Sequence, residues 1–239
     1  MSAAAAAPEP PVRWGILGCG DVTEKKSGPG FQRARSSMLQ AVMRRDAAKA
    51  QDYAARHDVP RWYAYADELL ADDSVDAVYI ATPPGAHLDL AQRVAAVGKP
   101  CYIEKPMARN LNESLQMAQA FAAVGVPLFV AYYRRAYPRY QRVKALLESG
   151  RLGELSSVQY TMRRQPPTPT SASAPAGIAG GASGWRQSVP VSGGGLFVDV
   201  GSHLLDLLDF LLGPLRDMRG VSTRGPQAPA AAPEDTVAL

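Results

Sequence analysis

Unbroken apolar runs alternate with amphipathic stretches from Val12 to Tyr133. Val12–Leu17 reads as a buried strand stopped by glycines, Leu39–Met43 as a second and Ala77–Thr82 as a third, ended by Pro83-Pro84. Cys101–Glu104 and Leu128–Tyr133 continue the series. Between them a helix is expected after the glycines, bent or looped where Ser27-Gly28-Pro29-Gly30 interrupts it. Asp46–Arg56 has the alanines and charges of a helix, Asp67–Ala71 is a short one, and Ala86–Val97 is amphipathic and closed by Gly98. Leu111–Val124 is closed by Gly125. Continuous apolar strands are covered on both faces, and their alternation with helices predicts an α/β class: a doubly wound parallel sheet.

The pattern changes after about Tyr137. A helix, Tyr140–Glu148, ends at Gly150, and Glu154–Met162 alternates like a strand with one exposed face. Gln165–Gly184 is rich in Pro, Ser, Thr, Ala and Gly and reads as a mobile loop. Gly193–Gly195 opens a long helix through Leu212, closed by Gly213-Pro214; a strand is expected near Leu215–Val221, and Thr236–Leu239 resembles the start of another. The chain divides into a disordered tail, 1–11, a doubly wound domain, 12–136, and a second, α+β domain, 137–239.

Composition narrows the classes. An apolar share of 46% with 20% charged residues is that of a soluble globular protein. The net charge of +4 comes from scattered arginines with no basic block, which argues against a nucleic-acid partner. The most apolar stretch, Leu204–Leu212, is too short for a membrane span and carries Asp206 and Asp209. Ser2–Pro8 lacks the basic start and apolar core of a signal peptide. Cys19 and Cys101 cannot form a disulfide framework and read as reduced thiols, hence a cytoplasmic location.

Three clusters carry candidate chemistry. Gly18-Cys19-Gly20 after the first strand lets the backbone turn tightly and approach a pyrophosphate with a helix N-terminus behind it; a purely structural turn is the plainer alternative. The end of the second strand is where a dinucleotide's ribose is read, by an acid for NAD or an arginine for NADP. Arg44 and Arg45 stand there, with Asp46 further on, which favours NADP over NAD; a solvated helix start would also explain them. Lys105, in Glu104-Lys105-Pro106, ends an apolar strand where a lysine is costly to desolvate. Downstream, Asp199, His203 and Asp206 would share one helix stripe, with Leu196, Val200, Leu204 and Leu207 toward the core. A histidine flanked by carboxylates can pass a proton. A helix with a merely polar face is the alternative, and a metal held by Asp199, His203 and either Asp206 or His87 is the rival.

Four segments taken in order resemble the Gfo/Idh/MocA family, the glucose–fructose oxidoreductase and inositol dehydrogenase group. They are Gly15–Gly20, Asp76–His87, Gly98–Pro106, and Trp185-Arg186 followed by Gly193–Asp206. The resemblance implies hydride transfer between a nicotinamide cofactor and a hydroxyl or carbonyl carbon of a sugar, cyclitol or diol. It implies that Lys105, Asp199 and His203 form the acid/base group. Gly18, Cys19, Gly20, Asp21, Val22, Arg44, Arg45, Thr82, Pro83, His87, Glu104 and Lys105 would border the cofactor. Tyr133 and Arg134, at a strand end, would face the substrate with Trp185 and His203. The family's usual small third glycine-turn residue is Thr23 here, so the first helix is expected to pack differently. The family's second domain is an open, mostly antiparallel sheet with more strands than this chain holds. The chain is therefore expected to be incomplete there, and its full-length form a homo-oligomer. A non-catalytic dinucleotide-binding relative or an inactive truncated fragment is the alternative function.

Overall fold

The computed structural model describes residues 10–163, 185, 188–195, 197–226, 233–234 and 236–239. The expected tail up to residue 9, the Gln165–Gly184 loop, Arg186 and Leu196 lie outside the described residues. Those residues form two compact units. The first runs to Ala131 and includes Val189–Gly193; the second holds the rest.

In the first unit, β1 (Val12–Leu17), β2 (Ser37–Met43), β3 (Arg61–Tyr63), β4 (Ala77–Ile80), β5 (Cys101–Ile103) and β6 (Leu128–Val130) form one sheet in the order β3-β2-β1-β4-β5-β6. Every pairing is parallel. Successive side chains point to opposite faces, so each strand feeds two cores. Leu17, Val78, Ile80, Cys101 and Ile103 pack with α3 (Ala66–Leu70), α4 (His87–Ala96) and α5 (Leu111–Val124). Ile16, Val42 and Tyr79 pack on the other side with Tyr53 and Ala54 of α2 (Ala47–Arg56) and with Phe31 of α1 (Gly28–Arg33). This double covering is why β4 is buried at all four positions and lacks a polar face.

Local chemistry sets the helix ends. The Asp46 and Asn110 side chains accept from the amides of Lys49 and Glu113, and Gly125 takes the left-handed conformation that ends α5. The expected break at Ser27-Gly28-Pro29-Gly30 does not occur. A π-turn, Thr23–Ser27, runs directly into α1, and Pro29 falls in the first turn of α1, where a missing N–H costs no hydrogen bond. β3 follows Pro60 and is only three residues long, without the apolar run that marks a strand.

Val189–Gly193, which contains α7 (Val189–Ser192), lies against the first unit. Arg109 Nη1 donates to the Pro190 carbonyl at 2.9 Å, and Gly193 meets the Arg109 backbone too closely for any side chain.

The second unit contains α6 (Pro138–Glu148), a π-turn at Phe197–Gly201 leading into α8 (Ser202–Leu212), and an antiparallel pair of strands, β7 (Val221–Thr223) and β8 (Thr236–Ala238). Glu154–Met162 is exposed throughout and is not a strand, because alternation without a paired ladder leaves the backbone unsatisfied. The strand expected over Leu215–Val221 is displaced to β7. Cys19 and Cys101 are free and buried. Among the described residues no helix is long and apolar enough to cross a membrane.

Candidate active site

Parallel strands align their carboxyl ends. The turns after β1, β4 and β5, three neighbouring strands, therefore emerge at one sheet edge, where doubly wound folds hold their ligands.

After β1, Gly18 has φ +96°, and a Cβ there would stand 2.7 Å from Thr82 Cγ2, so only glycine fits. Gly20 has nothing within 4 Å of a built Cβ, which leaves its outer side open to a phosphate. Thr23 is fully buried. Its hydroxyl donates to the Gly20 carbonyl at 2.7 Å and accepts from the Gly20 amide at 2.9 Å. The residue that departs from the family's small one thus ties up the Gly20 N–H. The amides of Asp21 and Val22, first in the helix, remain to face an anion. Tyr53 of α2 donates to the Thr23 carbonyl at 2.9 Å and locks this helix to its neighbour. Burial pushes the Cys19 thiol up to about 11.

At the end of β2, Arg44 Nη1 donates to the Cys19 carbonyl at 3.0 Å, which holds its guanidinium beside the glycine turn. Arg45 is exposed. Asp46 is committed to capping α2 through Lys49, whose amide and ammonium hold its carboxyl below the usual range.

After β4, the Thr82 hydroxyl oxygen is buried without a hydrogen-bond partner, as a group awaiting a ligand would be. Pro83 is half-buried and accepts from the Ala86 amide. His87 corrects an expectation. It is fully buried, with Nε2 2.8 Å from the Thr82 carbonyl and Nδ1 3.0 Å from the Met107 carbonyl. Burial lowers its pKa, against the pull of those carbonyls. It braces the β4 and β5 turns from beneath, with no nitrogen left for a cofactor or a metal.

After β5, Glu104 accepts from the Tyr79 hydroxyl through Oε1 at 2.6 Å and from the Lys105 amide through Oε2 at 3.1 Å. Lys105 is half-buried at the tip of this turn.

The remaining candidates belong to the second unit. Tyr133 and Arg134 lie in a 3₁₀ turn, Tyr133–Ala136, and not at a strand end, because β6 stops at Val130. His203 is 3% exposed, with the rings of Tyr133 and Tyr132 edge-on at 5.1 and 5.8 Å. Trp185 is half-buried. The expected stripe of Asp199, His203 and Asp206 is divided between two consecutive elements. Asp199 sits in the π-turn, and His203 and Asp206 sit in α8. His203 shares the buried side of α8 with Leu207, and Asp206 is ion-paired to Arg135 at 2.6 Å. Among the described residues no group of three His, Cys, Asp or Glu side chains could hold a metal ion.

Tyr79, Tyr132 and Arg135 escaped the sequence reading. Each earns its place by contacting a residue distant in the chain, which neither spacing nor composition signals.

The family description "Oxidoreductase family, NAD-binding Rossmann fold" (GFO_IDH_MocA) matches residues 12–132, and that family's C-terminal domain matches 140–239. The chain belongs to the Gfo/Idh/MocA family. An oxidoreductase of Formosa agariphila is 39% identical over 87% of this chain and 63% of its own length. The trans-1,2-dihydrobenzene-1,2-diol dehydrogenase of Sus scrofa is 28% identical over 84% of this chain and 56% of its own. The WlbA dehydrogenase of Bordetella pertussis, solved with NADH and UDP-GlcNAcA, is 27% identical with a TM-score of 0.76, covering 97% of this chain and 63% of that one. The chain thus spans between 56% and 63% of the length of these Gfo/Idh/MocA relatives. Its nucleotide-binding sheet is the family's Rossmann fold, and the residues at the sheet edge fit a nicotinamide dinucleotide.

Proposed function

We propose that this protein is an NADP-preferring oxidoreductase acting on a hydroxyl or carbonyl carbon of a sugar, cyclitol or diol. The carrying observation is that one sheet edge gathers the open glycine turn, the unpartnered Thr82 hydroxyl and Lys105. The relatives' names carry a dihydrodiol and UDP-GlcNAcA, and both support a hydroxyl-bearing small molecule.

The cofactor, when bound, supplies or takes up the hydride. The Asp21 and Val22 amides, at the positive end of a helix, would hold its pyrophosphate. Arg44, anchored on the Cys19 carbonyl, supports a 2′-phosphate on the ribose, and the capping duty of Asp46 takes away the carboxylate that would favour the free 2′-hydroxyl. Thr82 and Pro83 would border the nicotinamide. Lys105 carries the proton to or from the reacting oxygen, with Asp199 and His203 completing the acid/base group; Tyr133, Arg134 and Trp185 orient the substrate. The free thiols suit a cytoplasmic enzyme.

Turnover by wild type and Lys105→Ala is compared by NADPH absorbance across sugars, inositols and dihydrodiols, with NADPH affinity measured by nicotinamide fluorescence. A positioned general acid or base contributes about 10²- to 10⁴-fold, so the variant should lose activity by that factor and bind NADPH as before. Wild-type turnover in Lys105→Ala would remove the role assigned to this lysine.

A further inference from the structure

Tyr79 is the third residue of β4 and is 1% exposed. Its ring packs on Phe31 at 5.1 Å and Tyr102 at 5.4 Å, within a cluster that includes Ile16, Leu39 and Val42. A phenylalanine would fill this space equally well. A hydroxyl here is costly to bury unless a partner repays its lost hydration. The partner is Glu104. In the parallel register Tyr79 lies opposite Tyr102, so Glu104, two residues further, stands diagonally on the same face. The phenol donates to Oε1 at 2.6 Å while Oε2 accepts the Lys105 amide at 3.1 Å. Burial, then the neighbouring carboxylate, pushes the phenol pKa upward, which keeps its proton in place as a donor. A polar thread therefore runs from the Tyr79 phenol in the apolar core, through the Glu104 carboxylate, to the backbone of Lys105.

We propose that Tyr79 is a positioning residue for Lys105: its phenol fixes the Glu104 carboxylate, and that carboxylate holds the Lys105 amide, so the lysine side chain departs from a fixed backbone. This rests on the reading that Lys105 carries the proton. Neither the packing of the ring nor the stitching of β4 to β5 requires the hydroxyl. The Glu104 amide is held separately by the Ile80 carbonyl at 2.9 Å.

Tyr79→Phe removes only the hydroxyl. The first readout is amide hydrogen exchange by NMR on the chain without cofactor. Loss of one hydrogen bond to a charged group should speed exchange at the Lys105 amide about ten-fold, with the Glu104 amide unchanged. Glu104→Gln, which loosens the thread from its other end, should do the same. The second readout is kinetic, with any substrate found in the screen: kcat falls about ten-fold, KM and NADPH affinity stay within about two-fold, and the double variant is no worse than Glu104→Gln alone. Unchanged Lys105 exchange in Tyr79→Phe overturns the inference whatever the activity. Faster exchange with unaltered kcat, in an enzyme that Lys105→Ala inactivates, overturns it too. Failure of the functional reading shows separately, as an active Lys105→Ala.

Discussion

Glu24 lies one turn into the helix behind the glycine turn, and its replacement by Gln tests what ties that helix to α2. Its Oε1 meets Arg56 Nη2 at 2.7 Å, and Oε2 meets Arg56 Nη1 at 3.0 Å and His57 Nε2 at 2.7 Å. The Arg56 guanidinium, followed by His57, outweighs burial and holds the carboxyl at about 2 in place of the ordinary 4.5. A carboxyl lowered on folding binds fewer protons folded than unfolded between those values. Its stabilising contribution is therefore complete above about pH 4.5 and is lost as pH falls toward 2. At 1.36 kcal/mol per pH unit the whole shift corresponds to about 3 kcal/mol. Glu24 is 29% and Arg56 48% exposed, so solvent screening reduces the expected value to about 1–2 kcal/mol. Urea unfolding at constant ionic strength, followed by tryptophan fluorescence, reads this out, because Trp14 packs on Phe31 at 4.7 Å in the same unit. Glu24→Gln should be less stable by about 1–2 kcal/mol at pH 7, with the gap closing between pH 4.5 and 2 and shrinking in 1 M salt. A gap that persists unchanged at pH 3 would refute the electrostatic account. No gap at pH 7 would mean that Asp52, 2.8 Å from Arg56 Nε, satisfies the arginine alone.

Two further outcomes follow from the same contacts. Arg44→Ala should weaken NADPH binding about 10- to 100-fold by fluorescence titration and leave NADH within about two-fold; equal losses for both would show that Arg44 does not read a phosphate. Asp206→Ala takes a carboxylate, 7% exposed, from Arg135, itself 41% exposed and still near Asp209, so a loss of about 1–3 kcal/mol is expected; an unchanged melting temperature would count against a structural role for this pair.

Much of the first unit was legible because its signals are local. β4 announces itself by its unbroken apolar run, α2 by its alanines and charges and α5 by the closing Gly125. The glycine turn and Glu104-Lys105-Pro106 are short contiguous motifs, and their family resemblance could be read residue by residue. The failures are equally physical. Ser27-Gly28-Pro29-Gly30 looks like a breaker until Pro29 is seen to fall in a helix's first turn. β3 is too short to carry a period, and Glu154–Met162 has the period of a strand without a ladder to join.

By itself, then, the sequence determined the alternation of strands and helices, the glycine turn and the presence of a lysine at a strand end. These depend on backbone geometry and burial over a few consecutive residues. Only the tertiary structure decided that His87 braces two turns, that Thr23 takes the Gly20 amide, that Asp206 answers to Arg135 and that Tyr79 reaches Glu104. All but the Thr23 contact depend on strand register and on packing between distant segments. Thr23 depends on a helix starting within the glycine motif itself. No run of neighbouring residues encodes the other three meetings, because each is fixed by where two separately formed elements come to rest.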